Sequence, residues 1–156
     1  MKTLTVIQPW AYLICRGFKD VENRKWRTNY RGRVLIHASA NNKLDYTALT
    51  PEQYNYCLPY LTQKSFDLDR SAIIGSVNIV DCVKDYPSIW SEKGVWNWVL
   101  DEPYLFREPA KNVSGKLSFW ESDYEDDFCI DCGDHCRVLT KLSNLNCLCS
   151  SFCNFK

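Results

Sequence analysis

The chain has 156 residues and carries 19 basic and 19 acidic side chains, so its formal net charge is zero. A neutral chain has no long-range field that would draw the whole molecule onto nucleic acid or a membrane surface. Its length predicts one compact domain with a tail. The start "MKTLTVIQPW" lacks the apolar region of a signal peptide, and no apolar run reaches transmembrane length. We therefore expect an intracellular protein, cytoplasmic or nuclear, without membrane contact.

The first forty residues predict a strand, a short helix and a second strand. "TLTVIQ" (residues 3–8) alternates weakly between polar and apolar side chains, as a half-buried strand does. "PWAYLICRG" places Pro9 at a helix start and Gly17 just after its end, the expected polarity for a short helix. "RVLIHAS" (residues 33–39) predicts a buried strand. We expect His37, near its end, to be a core histidine with one hydrogen-bonded nitrogen.

The central part of the chain predicts a second helix and the longest strand. Thr50 and Pro51 are typical of a helix N-cap and first turn, and Pro59 disturbs the helix further on. "AIIGSVNIVDCV" (residues 72–83) is a long β-type run, and Gly75 within it indicates a bulge or a close backbone approach. Two shorter strands follow, "GVWNWVL" (residues 94–100) and "KLSFWE" (residues 116–121).

These elements predict a mixed, mainly antiparallel α+β domain over residues 1–121, built as a curled sheet or small barrel. Residues 122–156 differ in composition, being first acidic and then Cys-rich, and we expect them to form a weakly ordered appended tail.

Nine cysteines divide between the domain and the tail. Those of the domain are expected to be buried small apolar residues, the usual state of an intracellular cysteine. In the tail, a C-x-x-C pair followed by a third cysteine has part of the spacing of a zinc knuckle. We expect no cofactor, with structural zinc in the tail as the alternative. The domain cysteines are Cys15, Cys57 and Cys82, and the candidate zinc ligands are Cys129, Cys132 and Cys136.

Charge is distributed unevenly along the neutral chain. Residues 16–33 hold seven basic side chains against two acids, whereas residues 121–134 hold seven acids and no base. In an extended strand, Glu22 and Arg24 lie on the same face and can pair. Lys19 stands at the mouth of this segment and is expected to be free to move, which suits a base or nucleophile if it loses solvent. The alternative for such a charge run is a solvated, salt-bridged hairpin edge.

Four motifs occur in a fixed order along the first part of the chain. They are Gln8-Pro9-Trp10, Gly17-x-Lys19-x-x-Glu22-x-Arg24-x-Trp26, Tyr30-Arg31-Gly32 and His37-Ala38-Ser39. In this order they resemble the ASCH domain family of the PUA-like superfamily, and the similarity covers about residues 1–121. The resemblance implies a small PUA-like β-barrel with two or three flanking helices, to which the Cys-rich tail is appended.

The resemblance also implies a cleft lined by the Gly-x-Lys-x-x-Glu-x-Arg motif and suited to RNA or a nucleotide, with roles in RNA metabolism or transcriptional coactivation. Some family members are enzymes: one branch hydrolyses the amide of an acylated cytidine nucleoside, and another cuts RNA. Lys19 occupies the position of the catalytic lysine in the amidohydrolase branch. Glu22 replaces the threonine of that branch, and an acid beside Lys19 favours a charged lysine, which suits binding better than catalysis.

We therefore predict an RNA- or nucleotide-binding module. Basic side chains of the motif would hold phosphate, a tryptophan would stack on a base, and Glu22 would accept a hydrogen bond from a base edge. One alternative is a nucleoside amidohydrolase or ribonuclease with Lys19 and Glu22 as catalytic residues. Another is a protein-interaction adaptor that contacts its partner through the tail. The predicted ligand-binding residues are Gln8, Trp10, Lys19, Glu22, Arg24, Trp26 and Arg31, with Lys25 as a further phosphate contact.

Overall fold

We describe the fold from a computed structural model that covers residues 1–41, 46–61, 68–129 and 133–142, without the side chains of residues 128–129 and 133–136. Within these ranges no helix is long and apolar enough to span a membrane. The helices are α1 (Trp10–Cys15) and α2 (Pro51–Cys57), with 3₁₀ turns at Tyr46–Ala48 and Leu58–Tyr60. The strands are β1 (Lys2–Val6), β2 (Val21–Arg24), β3 (Gly32–Ala38), β4 (Ala72–Val83), β5 (Trp96–Ala110), β6 (Phe119–Glu121), β7 (Tyr124–Cys129) and β8 (Gly133–Lys141).

Six strands form one curled sheet in the order β2-β5-β4-β3-β1-β6. Neighbouring strands are antiparallel except β1 and β3, which run parallel because α1 and β2 lie between them in the chain. The predicted mainly antiparallel α+β domain is thus confirmed. A curled six-stranded sheet with few helices is consistent with a PUA-like barrel.

Strand β3 is buried on both faces, although a strand at the edge of a domain would bury only one. Val34 and Ile36 belong to the main core between the sheet and α1, whereas Leu35 faces a second apolar cluster on the other side. Each of these three side chains has no exposed surface. The predicted buried strand is thus confirmed, with both of its faces covered.

Helix α1 ends in the turn that the sequence predicts. Gly17 adopts a left-handed conformation, with φ of 78°, which glycine adopts without steric cost. The N–H groups of Phe18 and Lys19 both donate to the carbonyl of Leu13, at 2.9 and 3.1 Å, and so close the helix C-terminus. The turn reverses the chain and carries Lys19 back against the body of the domain.

Helix α2 begins with the predicted cap. The Thr50 hydroxyl accepts from the Gln53 N–H at 3.2 Å, and the Gln53 side chain accepts from the Thr50 N–H at 3.0 Å. This reciprocal pair is a capping box, which satisfies two of the free donors at a helix start. Pro59 follows in a 3₁₀ turn, so the predicted disturbance of the helix is also confirmed.

Gly75 lies where two elements approach the β4 backbone closely, as the sequence predicts. A Cβ atom at this position would lie 2.5 Å from Cys15 Sγ and closer still to the Tyr104 carbonyl oxygen. The pairing of β4 with β5 also shifts register between Ile73 and Gly75. The strand predicted at residues 94–100 continues much further, to Ala110, and its second half is the part that reaches Gly75.

The acidic segment after Glu121 differs from the expected weakly ordered tail where the structure describes it. Strands β7 and β8 pair antiparallel as a hairpin. Leu139 of β8 is 1% exposed, and it packs in the second apolar cluster with Leu35, Ile73 and Phe106. The hairpin therefore covers the second face of β3. Residues 143–156 lie outside the described residues, so the predicted domain boundary near Glu121 stays a prediction.

A buried charge cluster joins the hairpin to the sheet. Asp126 of β7 has a fully buried carboxylate, and its Oδ2 atom accepts from Arg33 Nε at 2.6 Å and from Arg137 Nη1 at 3.2 Å. Arg33 also donates to the Ser76 hydroxyl at 2.8 Å and to the Glu102 carbonyl at 3.0 Å. The acidic segment thus neutralises one arginine of the basic segment.

The three domain cysteines are free and buried, as predicted. Burial raises the pKa of the Cys57 thiol to about 11 and raises that of Cys15 still further. Both thiols are therefore protonated at neutral pH and lack the thiolate that makes a cysteine reactive.

His37 is the core histidine that the sequence predicts. It is 1% exposed, and its Nε2 atom lies 2.8 Å from the Val113 carbonyl oxygen, so this nitrogen carries the proton. Nδ1 is buried and has no partner in the described part of the chain. Burial lowers the pKa of His37 below its usual value of 6.5, although the bond to Val113 opposes this.

Stability should consequently fall as the pH drops below about 6.5. The unfolded chain takes up a proton at His37 there, whereas the folded chain does so only at lower pH, so protonation favours unfolding. The slope is at most about 1.4 kcal/mol per pH unit, so the contribution of His37 to the loss between pH 7.5 and 5.5 should not exceed about 1.4 kcal/mol. Urea unfolding at both pH values measures it. The loss should shrink in His37→Gln. An unchanged loss in this variant would assign it to other groups.

Candidate functional site

Three charged side chains of the Gly-x-Lys-x-x-Glu-x-Arg motif meet in the structure. Glu22 Oε2 lies 3.2 Å from Lys19 Nζ, and Glu22 Oε1 lies 3.0 Å from Arg24 Nη2. The predicted pairing of Glu22 with Arg24 is therefore confirmed. We call these three residues the motif cluster. One carboxylate bridges two cations, so the cluster as a whole carries one positive charge.

Lys19 is held more firmly than the sequence indicates. Its side chain is 2% exposed, and Nζ also donates to the Val21 carbonyl oxygen. The expectation that Lys19 is free to move is wrong, because the turn after Gly17 places its ammonium beneath β2. Its side chain lines a cavity of about 150 Å³ together with Asp20, Asp101 and other residues.

Arg24 is the member of the motif cluster that reaches solvent, with 23% of its side chain exposed. Its Nη2 atom donates to the Thr5 carbonyl oxygen at 2.9 Å, and its guanidinium lies 6.0 Å from the Trp98 ring centre. The Nε atom is buried without a partner in the described part of the chain. The guanidinium is thus fixed in position and partly exposed, so its exposed part can bind an anion.

The two predicted stacking residues have different surroundings. Trp26 contacts Trp98 edge-to-face at 4.5 Å between ring centres, and 37% of its surface is exposed. Trp10, at the start of α1, is partly buried and packs against two apolar clusters. Trp26 therefore offers an exposed aromatic surface near Arg24, whereas packing accounts for Trp10.

Gln8 lies apart from the Lys19 cavity. It is 1% exposed, and its carboxamide donates to the Asp69 carbonyl oxygen at 2.8 Å and accepts from the Tyr12 N–H at 3.0 Å. It lines a larger cavity, of about 450 Å³, between α1 and the second half of β5. Lys19 is not among the residues that line this cavity.

Arg31 is not brought into the motif cluster. Its Nη2 atom pairs with Asp81 Oδ1 at 2.8 Å, on strand β4. The Cys82 N–H and then the Arg31 guanidinium hold the pKa of Asp81 below its usual value. The other donors of Arg31 bond the carbonyl oxygens of Thr28 and Tyr30. These contacts assign Arg31 to the anchoring of the loop before β3.

The basic segment does not form one continuous basic surface. Arg33 binds Asp126 in the hairpin, whereas Arg27 and Arg16 lie over the rings of Trp96 and Phe18. Residues that are neighbours in sequence thus point to separate parts of the fold. The motif cluster is where basic residues of this segment meet.

The candidate zinc ligands lie outside what the structure describes. Cys132 falls outside the described ranges, and the side chains of Cys129 and Cys136 are not described. Within the described residues no group of three or more His, Cys, Asp or Glu side chains could hold a metal ion. The zinc hypothesis stays a prediction.

Trp98 is a residue of the site that is not predicted from the sequence. It is fully buried and pairs with Glu22 across β5 and β2. Its ring supports both Arg24 and Trp26. Only the register of β2 against β5 reveals this role, and a single sequence carries no direct signal for it.

Comparison with known proteins gives one family. The family model of the ASCH domain matches residues 4–124. A human relative named "Activating signal cointegrator 1" is 31% identical over 135 residues, which cover 77% of this chain and 22% of the relative. The mouse protein of the same name is 34% identical over the same length and with the same coverage. The chain thus matches about a fifth of the length of these curated relatives.

Proposed function

Because the chain belongs to the ASCH domain family, we propose that it is an RNA- or nucleotide-binding module whose ligand contacts the motif cluster. The observation that carries this proposal is the state of Arg24. Its guanidinium is held in place by Glu22 and Thr5, and 23% of the side chain is exposed to solvent. A planar guanidinium held in this way suits a phosphate group.

The surroundings of Arg24 support a nucleotide over a bare anion. Trp26 presents an exposed aromatic surface beside the same Trp98 ring that lies under Arg24. Binding of single-stranded nucleic acid commonly combines cationic phosphate contacts with aromatic rings on which bases stack. The net positive charge of the motif cluster acts locally, which accounts for a binding site on a chain of zero net charge.

We extend the proposal to transcriptional coactivation, since the two relatives are named as a signal cointegrator. Such a role would place the protein in the nucleus or cytoplasm, and it adds a protein partner to the nucleic acid. The Cys-rich segment after the domain is the candidate contact for that partner.

A hydrolase that acts on acylated nucleosides or RNA through Lys19 is the second candidate. The observation in its favour is that Lys19 lines a cavity with two further acids, Asp20 and Asp101. Against it, the Lys19 ammonium is engaged by Glu22 and Val21. A general base must instead offer a free lone pair.

Arg24→Ala should weaken binding of a short single-stranded RNA about tenfold or more, because it removes a charge-assisted phosphate contact. The dependence of log affinity on log salt should also become shallower by about 0.7, the contribution of one phosphate contact to a single strand. Fluorescence anisotropy at several salt concentrations measures both quantities. Lys141→Ala, which removes a charge from the hairpin, should change affinity by less than about twofold. Equal effects of the two variants would contradict a site at Arg24.

Turnover is tested separately by chromatography. The protein is incubated with acylated nucleosides and short RNAs, and Lys19→Ala is run beside it. We expect no product that depends on Lys19. Lysine-dependent product would establish the hydrolase and overturn the binding module. Absence of both product and RNA affinity would leave the protein-interaction role.

A further inference from the structure

A second cavity lies away from the motif cluster and has the size of a small-molecule site. Its volume is about 450 Å³, within the usual range for pockets that take a drug-sized ligand. The α1 side of the cavity is formed by Tyr12 of the helix and by Gln8 and Arg16, which flank the helix. The opposite side is the second half of β5.

The inner surface of this cavity is apolar. Ile74 is 3% exposed and belongs to the main core, and Leu105 of β5 packs against that core. Both residues line the cavity. A ligand would therefore place an apolar or aromatic part against this wall.

Two arginines line the same cavity without a carboxylate partner among the residues that the structure describes. Arg16 has a ring contact, with Phe18 at 5.9 Å, and Arg107 takes part in none of the ion pairs of the described chain. Both side chains are exposed. They differ in this from Arg24, Arg31 and Arg33, each of which has an acidic partner.

The acid of the cavity does not cancel these charges. Asp69 pairs with Lys111, its Oδ1 atom lying 3.0 Å from Lys111 Nζ. The Asp69 carbonyl oxygen is occupied by the buried Gln8 carboxamide, which also fixes Tyr12 at its backbone N–H. The cavity therefore combines a rigid polar corner, an apolar wall and an excess of positive charge.

We propose that this cavity binds a phosphorylated molecule of nucleotide size, with its apolar or aromatic part against Ile74 and Leu105 and the phosphate held by Arg16 and Arg107. Guanidinium groups match phosphate oxygens through paired N–H donors. A free mononucleotide and the phosphorylated 5′ end of an RNA present the same chemistry. The site is separate from the motif cluster and does not depend on RNA binding at Arg24.

The test uses the full chain and calorimetric titration with adenosine 5′-monophosphate, adenosine and inorganic phosphate. We expect the monophosphate to bind more tightly than either of its parts. Arg16→Ala and Arg107→Ala should each weaken it about tenfold or more and change the affinity for adenosine by less than about twofold. Arg107→Lys keeps the positive charge and loses the paired N–H donors of the guanidinium, so its affinity for the monophosphate should lie between those of the unchanged protein and Arg107→Ala. Both positions are exposed, so these substitutions should leave folding intact.

Arg27→Ala serves as the matched control, because it removes an exposed arginine that lies over Trp96 and outside the cavity. A pair of tetranucleotides, with and without a 5′-phosphate, distinguishes a free mononucleotide from the phosphorylated 5′ end of an RNA as the ligand. If the phosphorylated tetranucleotide binds more tightly than the mononucleotide and needs both arginines, the ligand is an RNA end; the reverse order makes it a free nucleotide. The proposal is overturned if adenosine 5′-monophosphate does not bind at about 1 mM. It is also overturned if binding survives both alanine variants. That would be the result if the monophosphate bound at the motif cluster, where Arg24→Ala alone would abolish binding.

Discussion

Glu22→Ala is expected to lower the free energy of unfolding by about 3–5 kcal/mol, the usual cost of removing one partner from a buried ion pair. The Lys19 and Glu22 side chains are 2% and 8% exposed, so water cannot replace the lost carboxylate. The Lys19 ammonium would keep only the Val21 carbonyl oxygen as a partner. Arg24 would lose its anchor at the same time. Urea unfolding followed by circular dichroism measures the change.

A double variant distinguishes the effect of the buried charge from the effect of the lost side-chain volume. Lys19→Met combined with Glu22→Leu replaces the ion pair by apolar side chains of similar volume, which is often neutral for stability. We expect it to recover most of the loss. Glu92→Ala, at an exposed position, is the control and should cost less than about 0.5 kcal/mol. If the double variant were as unstable as Glu22→Ala, an uncompensated buried charge could not be the cause.

The same double variant bears on function. It keeps the fold and leaves Arg24 with the Thr5 carbonyl as its remaining anchor. RNA binding should therefore weaken although stability recovers. Retained affinity in this variant would mean that the motif cluster is a structural device and that the ligand binds elsewhere.

Asp126→Ala is expected to destabilise the chain by a similar amount, about 3–5 kcal/mol. Its carboxylate has no exposed surface and accepts from two guanidinium groups. Without it, Arg33 and Arg137 face each other across a gap from which water is largely excluded. Repulsion between like charges adds to the lost pairing. Thermal or urea unfolding measures the effect.

Asp127→Ala is the matched control for this variant, because the neighbouring acid is exposed and takes part in no ion pair of the described residues. It should change stability by less than about 0.5 kcal/mol. If the two variants proved equally mild, the hairpin would be held by its apolar contacts alone.

Local signals predicted those parts of the fold that depend on near neighbours in sequence. The α1 turn at Gly17 and the α2 cap at Thr50 are each fixed by one residue and its immediate surroundings. The pairing of Glu22 with Arg24 also follows from alternation within one strand. These predictions hold because few long-range contacts compete with them.

The β7–β8 hairpin escaped prediction because its decisive contact is long-range. "YEDDFC" reads as an acidic loop, since Asp and Glu are disfavoured in strands. Asp126 is a charged residue, so the sequence favours an exposed position for it. It can be buried because Arg33, 93 residues earlier, supplies the opposite charge. No window of the sequence contains both residues.

The site divides in the same way. The residues that form the motif cluster were identified from the sequence, but the burial of Lys19 and the position of Trp98 beneath Arg24 were not. Both depend on how β2 pairs with β5. The two strands are far apart in the chain and their register depends on which face of each is buried, so no short segment encodes it.

The hairpin also bears on truncation of the protein. A chain cut after Glu121 would keep all six strands of the main sheet but would expose the apolar side chains of Leu35, Ile73 and Phe106 to solvent. Such an exposed apolar surface would favour self-association over folding. We therefore expect a stably folded fragment to need the residues up to Lys141, past the residue at which the family match ends.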